Sequence, residues 1–339
     1  MAMTLDGSNG VTFNDSSLQG AAASPYVLKN RIINGDMRID QRNAGASVTP
    51  ANDSYTLDRW KCYQTTASKF SVQQNAGSVT PPAGYNYYLG ITSLSAYTVL
   101  SSDYYTLQQV IEGFNCADLA WGTANAKTIT ISFWVRSSLT GTFGGALFND
   151  AGNRSYPFTY TISSANTWEQ KTVTIAGDTS GTWLTTNGAG IGVNFAVGIG
   201  SNFLATANTW ASSFKMSATG QTNLYATSAA TLQFTGVQLE VGSTATPFER
   251  RMYGQELALC QRYFQKVTDI AVRVFGQPTN GFRLPNYYKV TMRANPTVTL
   301  SGSGLSTTSV YGQTPDQFSY SNNDGSCDMY FSFTASAEL

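Results

Sequence analysis

Strict alternation of apolar and polar residues marks three long segments of the chain. A period of two residues is the pattern of a half-buried antiparallel strand. Clusters of turn-forming residues, such as FNDAGNRS, GDTSGTW and TTNGAG, lie between these segments. The pattern predicts an all-β fold, specifically a jelly-roll β-sandwich over residues 27–250. The apolar positions are Ile129, Ile131, Phe133 and Val135; Tyr156, Phe158, Tyr160 and Ile162; and Ile191, Val193, Phe195, Val197 and Ile199.

A fourth segment, TLQFTGVQLEVG, changes phase in its middle. Leu232 and Phe234 share one phase, whereas Val237, Leu239 and Val241 share the other. The slip falls at Thr235-Gly236, where a β-bulge would take up one extra residue. We therefore predict a bulged closing strand, the alternative being a strand that is simply weakened by its glycine.

Helical periodicity appears after the sandwich. We predict a connecting helix over residues 251–266, packed against the sandwich or, alternatively, used for oligomerisation. Its apolar stripe is Tyr253, Leu257, Cys260 and Phe264, and the polar residues outside it are Gln255, Glu256, Gln261 and Arg262.

Two further segments flank this body. The sequence of residues 1–26 predicts an extended N-terminal arm that contains a hairpin. The apolar positions of this arm are Leu5, Val11 and Phe13. Ends of chains are usually disordered unless something holds them, so we expect a partner to grip this arm. Alternation returns over residues 267–339 and predicts a small C-terminal β domain.

Composition narrows the possible functions. The chain has 339 residues with a net charge of zero, only 12% charged residues and no histidine. Without a basic patch, nucleic acid is not an expected partner. Without histidine, Ser-His-Asp and Cys-His catalysis are excluded. The sequence also lacks a run of about 18 apolar residues, so we expect no membrane insertion, and no signal peptide is expected.

The cysteines are widely separated and form no Cys-X-X-Cys motif. We expect isolated buried thiols, with a disulfide pair as the alternative. The cysteines are Cys62, Cys116, Cys260 and Cys327.

Several stretches, taken in order, resemble tailed-bacteriophage virion proteins of the tail-fibre and related appendage type. The resemblance covers residues 28–266, and MTLDGSNGVTFNDSS and MRANPTVTLSG resemble the segments that flank the body in the same group. It implies a homotrimer in the virion, assembled in the host cytoplasm, with residues 1–26 bound to other virion proteins. The stretches are NRIINGDMRIDQRN, YTLDRWKC, QQVIEG, TITISFWVRSSLTGTF, WEQKTVTIAGDTSGTW, FTGVQLEVGSTATPFERR and ELALCQRYFQK.

The jelly roll of this group is similar to carbohydrate-binding modules whose first strand reads Asn-Gly-Asp-Phe-Glu. Here INGDMRI stands in that place, with Met37 for the aromatic residue and Arg38 for the acid. Such modules often hold calcium there, but Ca²⁺ needs six to eight oxygen ligands. Asp36 and Glu240 are the remaining candidates, so we expect a turn at Asn-Gly-Asp, no metal and no cofactor.

Glycan binding requires aromatic rings that stack on sugars and polar groups that bind hydroxyls. Aromatic-rich loops supply candidates for such a site, and Trp134 and Trp183 are further rings, on or next to strands, that could face outward. For any one of these tyrosines, ordinary β-sheet propensity is the alternative explanation. The candidate glycan-binding residues are Tyr85, Tyr87, Tyr88, Asp103, Tyr104 and Tyr105.

A glycan hydrolase would need two carboxyl groups across the sugar. Three pairs of carboxyl groups are candidates, but nothing in the sequence resembles a catalytic signature. Asp58 with Arg59 is instead the pattern of an ion pair or turn cap. The expectation is a non-enzymatic receptor-binding appendage that binds host surface carbohydrate, or alternatively a capsid decoration or head-fibre protein. The carboxyl pairs are Asp36 with Asp40, Asp53 with Asp58, and Glu112 with Asp118.

Overall fold

The computed structural model describes residues 4–6, 10–12, 18–19, 29–274, 282–305, 308–322 and 327–339. The first strands are β1 (Thr4–Asp6), β2 (Gly10–Thr12) and β3 (Leu18–Gln19). The body contains β4 (Ser54–Leu57), β5 (Trp60–Gln64), β6 (Phe70–Gln74), β7 (Leu89–Ser93), β8 (Tyr104–Glu112), β9 (Ile129–Ser137), β10 (Gly141–Phe148), β11 (Ser155–Ile162), β12 (Glu169–Ile175), β13 (Ala189–Ile199), β14 (Leu204–Ala205), β15 (Ser217–Ala218) and β16 (Thr231–Val241). Helix α1 (Tyr253–Gln261) follows, and then β17 (Phe264–Val274), β18 (Phe282–Tyr287), β19 (Thr297–Ser303), β20 (Thr308–Tyr311), β21 (Gln317–Asn322) and β22 (Cys327–Ser336).

The body is a sandwich of two antiparallel sheets. One has the strand order β11-β10-β13-β8-β5-β4, and the other has the order β12-β9-β16-β7-β6. From β8 onward the chain crosses repeatedly between the sheets, because β8, β10 and β13 belong to the first while β9, β12 and β16 belong to the second. This alternation confirms the predicted jelly roll.

The two sheets enclose a continuous apolar core. The alternating residues of β9 and β11 point into it as predicted, and Phe133 is fully buried. Its ring lies 4.9 Å from that of Phe195, which in turn lies 4.7 Å from that of Phe234. Each large apolar side chain buried in this way contributes roughly 1.5–3 kcal/mol, so this aromatic centre is a major source of the stability of the sandwich.

The predicted bulge in β16 is present. Pairing with β9 skips between Thr235 and Gln238, and Gly236 has a φ of +61°. Because the bulge adds one residue, Phe234 and Val237 both reach the core although their sequence phases differ. Val241, at the end of the strand, is 41% exposed and does not join them.

A second bulge in β13 was not predicted. Pairing with β8 is irregular between Ala196 and Gly198. Val197 remains in the main core, but Ile199 changes face and packs with Met216 in a separate cluster. The prediction that Ile199 shares the face of the earlier apolar residues is therefore wrong.

Three tryptophans from different loops close one end of the sandwich. The rings of Trp121, Trp183 and Trp210 are edge to face, with centroid separations of 4.8, 5.4 and 5.6 Å. Each indole N–H donates to a backbone carbonyl, those of Lys127, Ser180 and Ala176. Trp183 is buried, so it does not face outward, whereas Trp134 is half-buried.

Helix α1 is shorter than predicted, and its buried face is different. Tyr253 is 59% exposed, whereas Glu256, expected outside the apolar stripe, is buried and forms an ion pair with Arg251 at 3.3 Å. Cys260 is buried as predicted. The predicted helix also included Phe264, which instead begins β17.

The C-terminal part forms a small β unit of its own. Two three-stranded sheets, β17-β22-β19 and β18-β21-β20, enclose an apolar core that includes Phe318, Phe331 and Phe333. Segment 335–339 then returns to the sandwich, where Glu338 forms ion pairs with Arg42 and Arg59. Of the two predictions for Asp58 with Arg59, an ion pair between them is not formed, because Arg59 binds Glu338 and Asp58 binds Gln41; both residues do lie in the turn between β4 and β5.

Three cysteines, Cys62, Cys116 and Cys260, are buried free thiols as predicted, while the side chain of Cys327 lies outside the described residues. In the N-terminal arm, β1 pairs with β2 so that Leu5 lies opposite Val11, and Phe13 lies outside the described residues. Within the described part of the chain, no helix has the length and hydrophobicity needed to cross a lipid bilayer.

Candidate functional site

A groove of about 400 Å³ lies on the outer face of the six-stranded sheet. Its floor comes from β8 and β13, because side chains on a strand alternate between the core and the outer face. Its walls come from β5 on one side and from the end of β10 with the following loop on the other. The groove is lined by Asp53, Lys61, Tyr63, Gln108, Val110, Phe148, Asn149, Asp150, Ala151, Gly152, Ala189, Gly192, Phe214 and Leu339.

The ring of Phe148 lies over Gly192 of the neighbouring strand because glycine has no side chain there. Phe148 is paired with Gly192 across β10 and β13. A Cβ atom added at Gly192 would lie 2.1–2.6 Å from three ring carbons of Phe148, so only glycine leaves room for the ring. The ring of Phe214 packs edge to face against it at 5.2 Å and limits its movement. The result is a fixed, half-buried aromatic surface facing the groove.

Polar groups lie opposite this ring. The ammonium group of Lys61 contacts an Asp53 carboxylate oxygen at 2.7 Å, and the lysine side chain is only 11% exposed. Gln108 is paired with Lys61 across β8 and β5. Asp150 is exposed at the rim, in a turn held by the buried amide of Asn149. The groove therefore combines an aromatic surface with hydrogen-bonding groups that are cationic, anionic and neutral.

A stacked pair of tyrosines extends the wall formed by β5. The rings of Tyr63 and Tyr104 are 4.6 Å apart with an interplanar angle of 21°. Phe203 packs edge to face on Tyr104 at 5.4 Å. Burial raises the pKa of Tyr104 to about 12, so its hydroxyl stays protonated at neutral pH. Tyr104 is the predicted glycan-binding residue that lies nearest to the groove, through its contact with Tyr63.

The loop of Tyr85, Tyr87 and Tyr88 lies on the other sheet and does not line the groove. Tyr88 is fully buried, with its hydroxyl donating to Ala76 O at 2.7 Å. Tyr85 packs against Phe248 at 5.5 Å between ring centroids, and Tyr87 is 38% exposed. Tyr88 is therefore a core residue and is not available to a sugar.

Asp103 and Tyr105 are also buried. The carboxylate of Asp103 accepts hydrogen bonds from the Leu100 amide at 2.9 Å and the Tyr97 hydroxyl at 2.7 Å, and so closes the turn before β8. Tyr105 is fully buried and packs edge to face against Tyr225 at 4.8 Å. These placements correct the prediction for both residues, because core packing and turn closure occupy their side chains.

The calcium candidates are already engaged with other protein groups. Asp36 forms an ion pair with Arg38 at 3.4 Å, and burial raises the pKa of its carboxyl group. Glu240 is buried and accepts hydrogen bonds from Gln238 and from both the amide and the hydroxyl of Thr246. Among the described residues, no group of three or more His, Cys, Asp or Glu side chains is arranged to hold a metal ion.

The other carboxyl groups considered for catalysis hold the fold together. Asp40 accepts from the amides of Asn43 and Gly45, and Asp58 accepts from the amide and side chain of Gln41. Glu112 binds Arg262 and the Tyr263 hydroxyl, Asp118 binds Arg31, and Asp53 binds Lys61. Of the three predicted pairs, only Asp53 contributes to the groove.

The groove is not recognisable in the sequence because its lining comes from distant parts of the chain. Phe148 and Gly192 are neighbours only through the pairing of β10 with β13. The sequence carries only a weak signal for the groove. Lys61 and Tyr63 alternate with buried residues in β5, and a glycine stands at an outward position in β13.

No family model and no curated protein matches this sequence. Solved structures share part of the fold. A putative sugar binding protein from Bacteroides thetaiotaomicron has 11% identity and a TM-score of 0.35, over 63% of this chain and 100% of its own. TmCBM61 in complex with β-1,4-galactotriose has 11% identity and a TM-score of 0.32, over 63% of this chain and 100% of its own.

The enzymatically active domain of tailspike protein 4 from bacteriophage CBA120 has 14% identity and a TM-score of 0.34. The likeness covers 66% of this chain but only 22% of the tailspike chain, so this protein spans less than a quarter of that length. At such identities and TM-scores, the function of this chain has to be inferred from its own groove.

Proposed function

We propose that this protein is a non-enzymatic virion component of a tailed phage and that it binds a surface glycan of the host in the groove on the six-stranded sheet. The ring of Phe148, which lines the groove over Gly192 and is packed against Phe214, carries the proposal. Sugar rings have apolar faces that pack on aromatic rings, and small-ligand sites combine such surfaces with a few convergent polar groups.

The polar groups of the groove complement this ring. Gln108 offers both a donor and an acceptor, Lys61 donates, and Asp150 accepts. Lys61 is already paired with Asp53 at 2.7 Å, so the pair presents little net charge to a ligand. We infer that a neutral or weakly acidic saccharide is the best match. A volume of about 400 Å³ lies within the range of small-molecule sites and fits a short oligosaccharide segment.

The proposal does not include catalysis. Of the groove carboxylates, Asp53 is held by Lys61 and Asp150 is exposed at the rim. A general acid for glycoside cleavage instead requires a carboxyl group whose surroundings keep it protonated. The proposed role is therefore recognition, and turnover of a bound glycan would contradict it.

The test is binding to a glycan array of bacterial capsular and O-antigen saccharides, followed by titration of the positive saccharides in solution. Phe148→Ala should weaken binding about tenfold or more, corresponding to ~1.4 kcal/mol. Phe114→Ala is the matched control, because this ring is 60% exposed and does not line the groove. Equal losses for both variants, or a wild-type protein that binds no glycan, would overturn the proposed site.

The resemblance of the sequence to phage appendages supports a position on the outside of the particle. We propose a trimeric receptor-binding appendage of the tail, with residues 1–26 docked onto another virion protein. A capsid decoration or head fibre is the second candidate and shares the same resemblance. Immunogold labelling of intact particles with an antibody against residues 28–250 separates the two, because label at the tail supports the first and label over the head supports the second.

A further inference from the structure

Leu339 lines the groove although it follows the C-terminal β unit in the chain. Its main-chain oxygen accepts hydrogen bonds from the Tyr55 hydroxyl at 2.5 Å and from the Lys61 ammonium group at 3.3 Å. Lys61 is thus held from two sides, by Leu339 and by Asp53. The position of a polar group that faces the groove therefore depends on segment 335–339.

The neighbouring residue, Glu338, anchors this segment in the sandwich. Its carboxylate contacts Arg42 at 2.7 Å and also pairs with Arg59, whose side chain is only 1% exposed. Arg59 in turn donates to the carbonyl oxygen of Val110. Because Val110 forms part of the groove floor, Glu338 is linked to the floor through Arg59, while Leu339 contacts Lys61 in the wall directly.

The same segment is fixed to the C-terminal unit. Arg293 donates to Ala337 O at 2.7 Å and to Glu338 O at 3.0 Å, and the amide of Ala337 donates to Tyr263 O at 2.8 Å. The side chain of Leu339 packs against a small apolar cluster of Ile33, Ile39, Cys260 and Tyr263. Segment 335–339 cannot leave the groove without breaking contacts between the sandwich and the C-terminal unit.

We infer that the C-terminal β unit completes the glycan site through Glu338 and Leu339, and that glycan binding and docking of this unit on the sandwich stabilise each other. This inference rests on the proposed function of the groove. Linkage requires the coupling to be reciprocal, so the factor by which docking tightens glycan binding equals the factor by which glycan strengthens docking. Glu338 and Leu339 are positioning residues in this scheme, since they act through Lys61 and Val110.

The experiment uses the full chain and the array saccharide that binds wild type most tightly. Leu339→Ala keeps the main-chain oxygen but removes the side-chain packing that holds it beside Lys61. Leu339→Ala and Glu338→Gln should each weaken binding about tenfold, which corresponds to ~1.4 kcal/mol. Glu338→Asp should recover part of the loss because it keeps the carboxylate. Asp328→Asn is the matched control, because it removes an ion pair with Arg273 on the exposed surface of the same unit. Leu339→Ala keeps the test informative if the loss of the buried charge in Glu338→Gln prevents folding.

A second readout separates positioning from a merely structural role. Saturating saccharide should slow hydrogen exchange in residues 262–266 and 335–339 of the wild type by about tenfold, and should have no such effect in Leu339→Ala. Unchanged affinity in folded Leu339→Ala and Glu338→Gln, with a wild type that binds, would overturn the coupling and leave the groove intact. A wild type that binds no array saccharide would overturn both the groove and the coupling.

Discussion

Glu338 and Arg59 form an ion pair that is almost completely buried, with side-chain exposures of 6% and 1%. They are 279 residues apart in the chain. The guanidinium group of Arg59 also lies 3.6 Å from the ring centroid of Tyr263, which covers it from the other side. This pair is a principal electrostatic link between the C-terminal unit and the sandwich.

Breaking this pair should be costly, because removing one partner leaves a buried charge. We expect Glu338→Gln to lower the free energy of unfolding by about 3–5 kcal/mol. The double variant Arg59→Met with Glu338→Gln should cost clearly less than the sum of the single changes Arg59→Met and Glu338→Gln. Urea denaturation of the wild type, both single variants and the double variant measures the coupling. Strict additivity would show that the two charges do not stabilise each other.

Gly236→Ala should destabilise the sandwich through two effects. The residue has a φ of +61°, and an added Cβ atom would lie 2.5 Å from the Tyr85 hydroxyl. Gly77→Ala isolates the backbone effect, because its φ is +76° and nothing lies within 4 Å. We expect Gly77→Ala to lower the free energy of unfolding by about 1–2 kcal/mol. Gly236→Ala should lower it by a further ~1–3 kcal/mol. Equal losses in chemical denaturation would mean that Tyr85 moves aside freely.

Gly192→Ala should disable the groove without touching any polar group in it. The added methyl group would occupy the place of the Phe148 ring and push it off the sheet. We expect the affinity for the array saccharide to fall about tenfold, or ~1.4 kcal/mol. Circular dichroism should show that the variant remains folded. Gly254→Ala is the control, since nothing lies within 4 Å of its added Cβ atom. Wild-type affinity in Gly192→Ala would exclude Phe148 as the stacking surface.

Stability should depend on pH through Asp58. Burial raises the pKa of this carboxyl group to about 6, although hydrogen bonds from Gln41 oppose the shift. The folded state therefore holds the proton more tightly than the unfolded state, whose aspartate pKa is about 3.9. The stabilisation from this group is complete below about pH 4 and is lost as the pH rises through 6.

Asp58→Asn removes that dependence. Relative to the wild type, the variant should gain stability between pH 4 and pH 7, by an amount on the order of 3 kcal/mol. Urea denaturation at several pH values in this range measures the difference. Parallel curves for the two proteins would show that Asp58 has an ordinary pKa in the folded state.

Deletion of residues 1–26 should separate folding from assembly. The apolar cores of the sandwich and of the C-terminal unit are built from residues such as Phe133, Phe195 and Phe333, so we expect the truncated protein to fold and to form the same oligomer as the full chain. It should fail to join particles when it is supplied in place of the full chain during infection. Light scattering tests the oligomeric state of the truncated protein, and immunoblots of purified particles test its incorporation. Normal incorporation would contradict the docking role of residues 1–26.

The strands were predictable because their cause is local. Alternation in β9 and β11 reflects one apolar face toward the core and one more polar face that is itself partly covered, and a single glycine in β16 marked its bulge. Helix α1 was predicted with the wrong buried face because sequence periodicity assumes that apolar residues are the buried ones. In the fold, Glu256 is buried because Arg251 lies beside it at 3.3 Å.

The candidate site was not predictable in the same way. Tyr88 and Tyr105 are aromatic residues in polar loops, and nothing in the sequence shows that both are fully buried. Phe148 becomes a binding surface only because Gly192 is its neighbour in the sheet. Such features depend on strand register, which a pattern along one segment does not contain.

Because the tryptophans are confined to one part of this molecule, fluorescence and circular dichroism report on different parts of it. All six lie between Trp60 and Trp210, and three of them form the cluster that closes one end of the sandwich. The C-terminal unit contributes tyrosine and phenylalanine but no tryptophan. Fluorescence excited in the tryptophan band therefore follows unfolding of the sandwich, while circular dichroism follows both parts. Whether the two transitions coincide is a direct measure of how firmly Glu338 joins them.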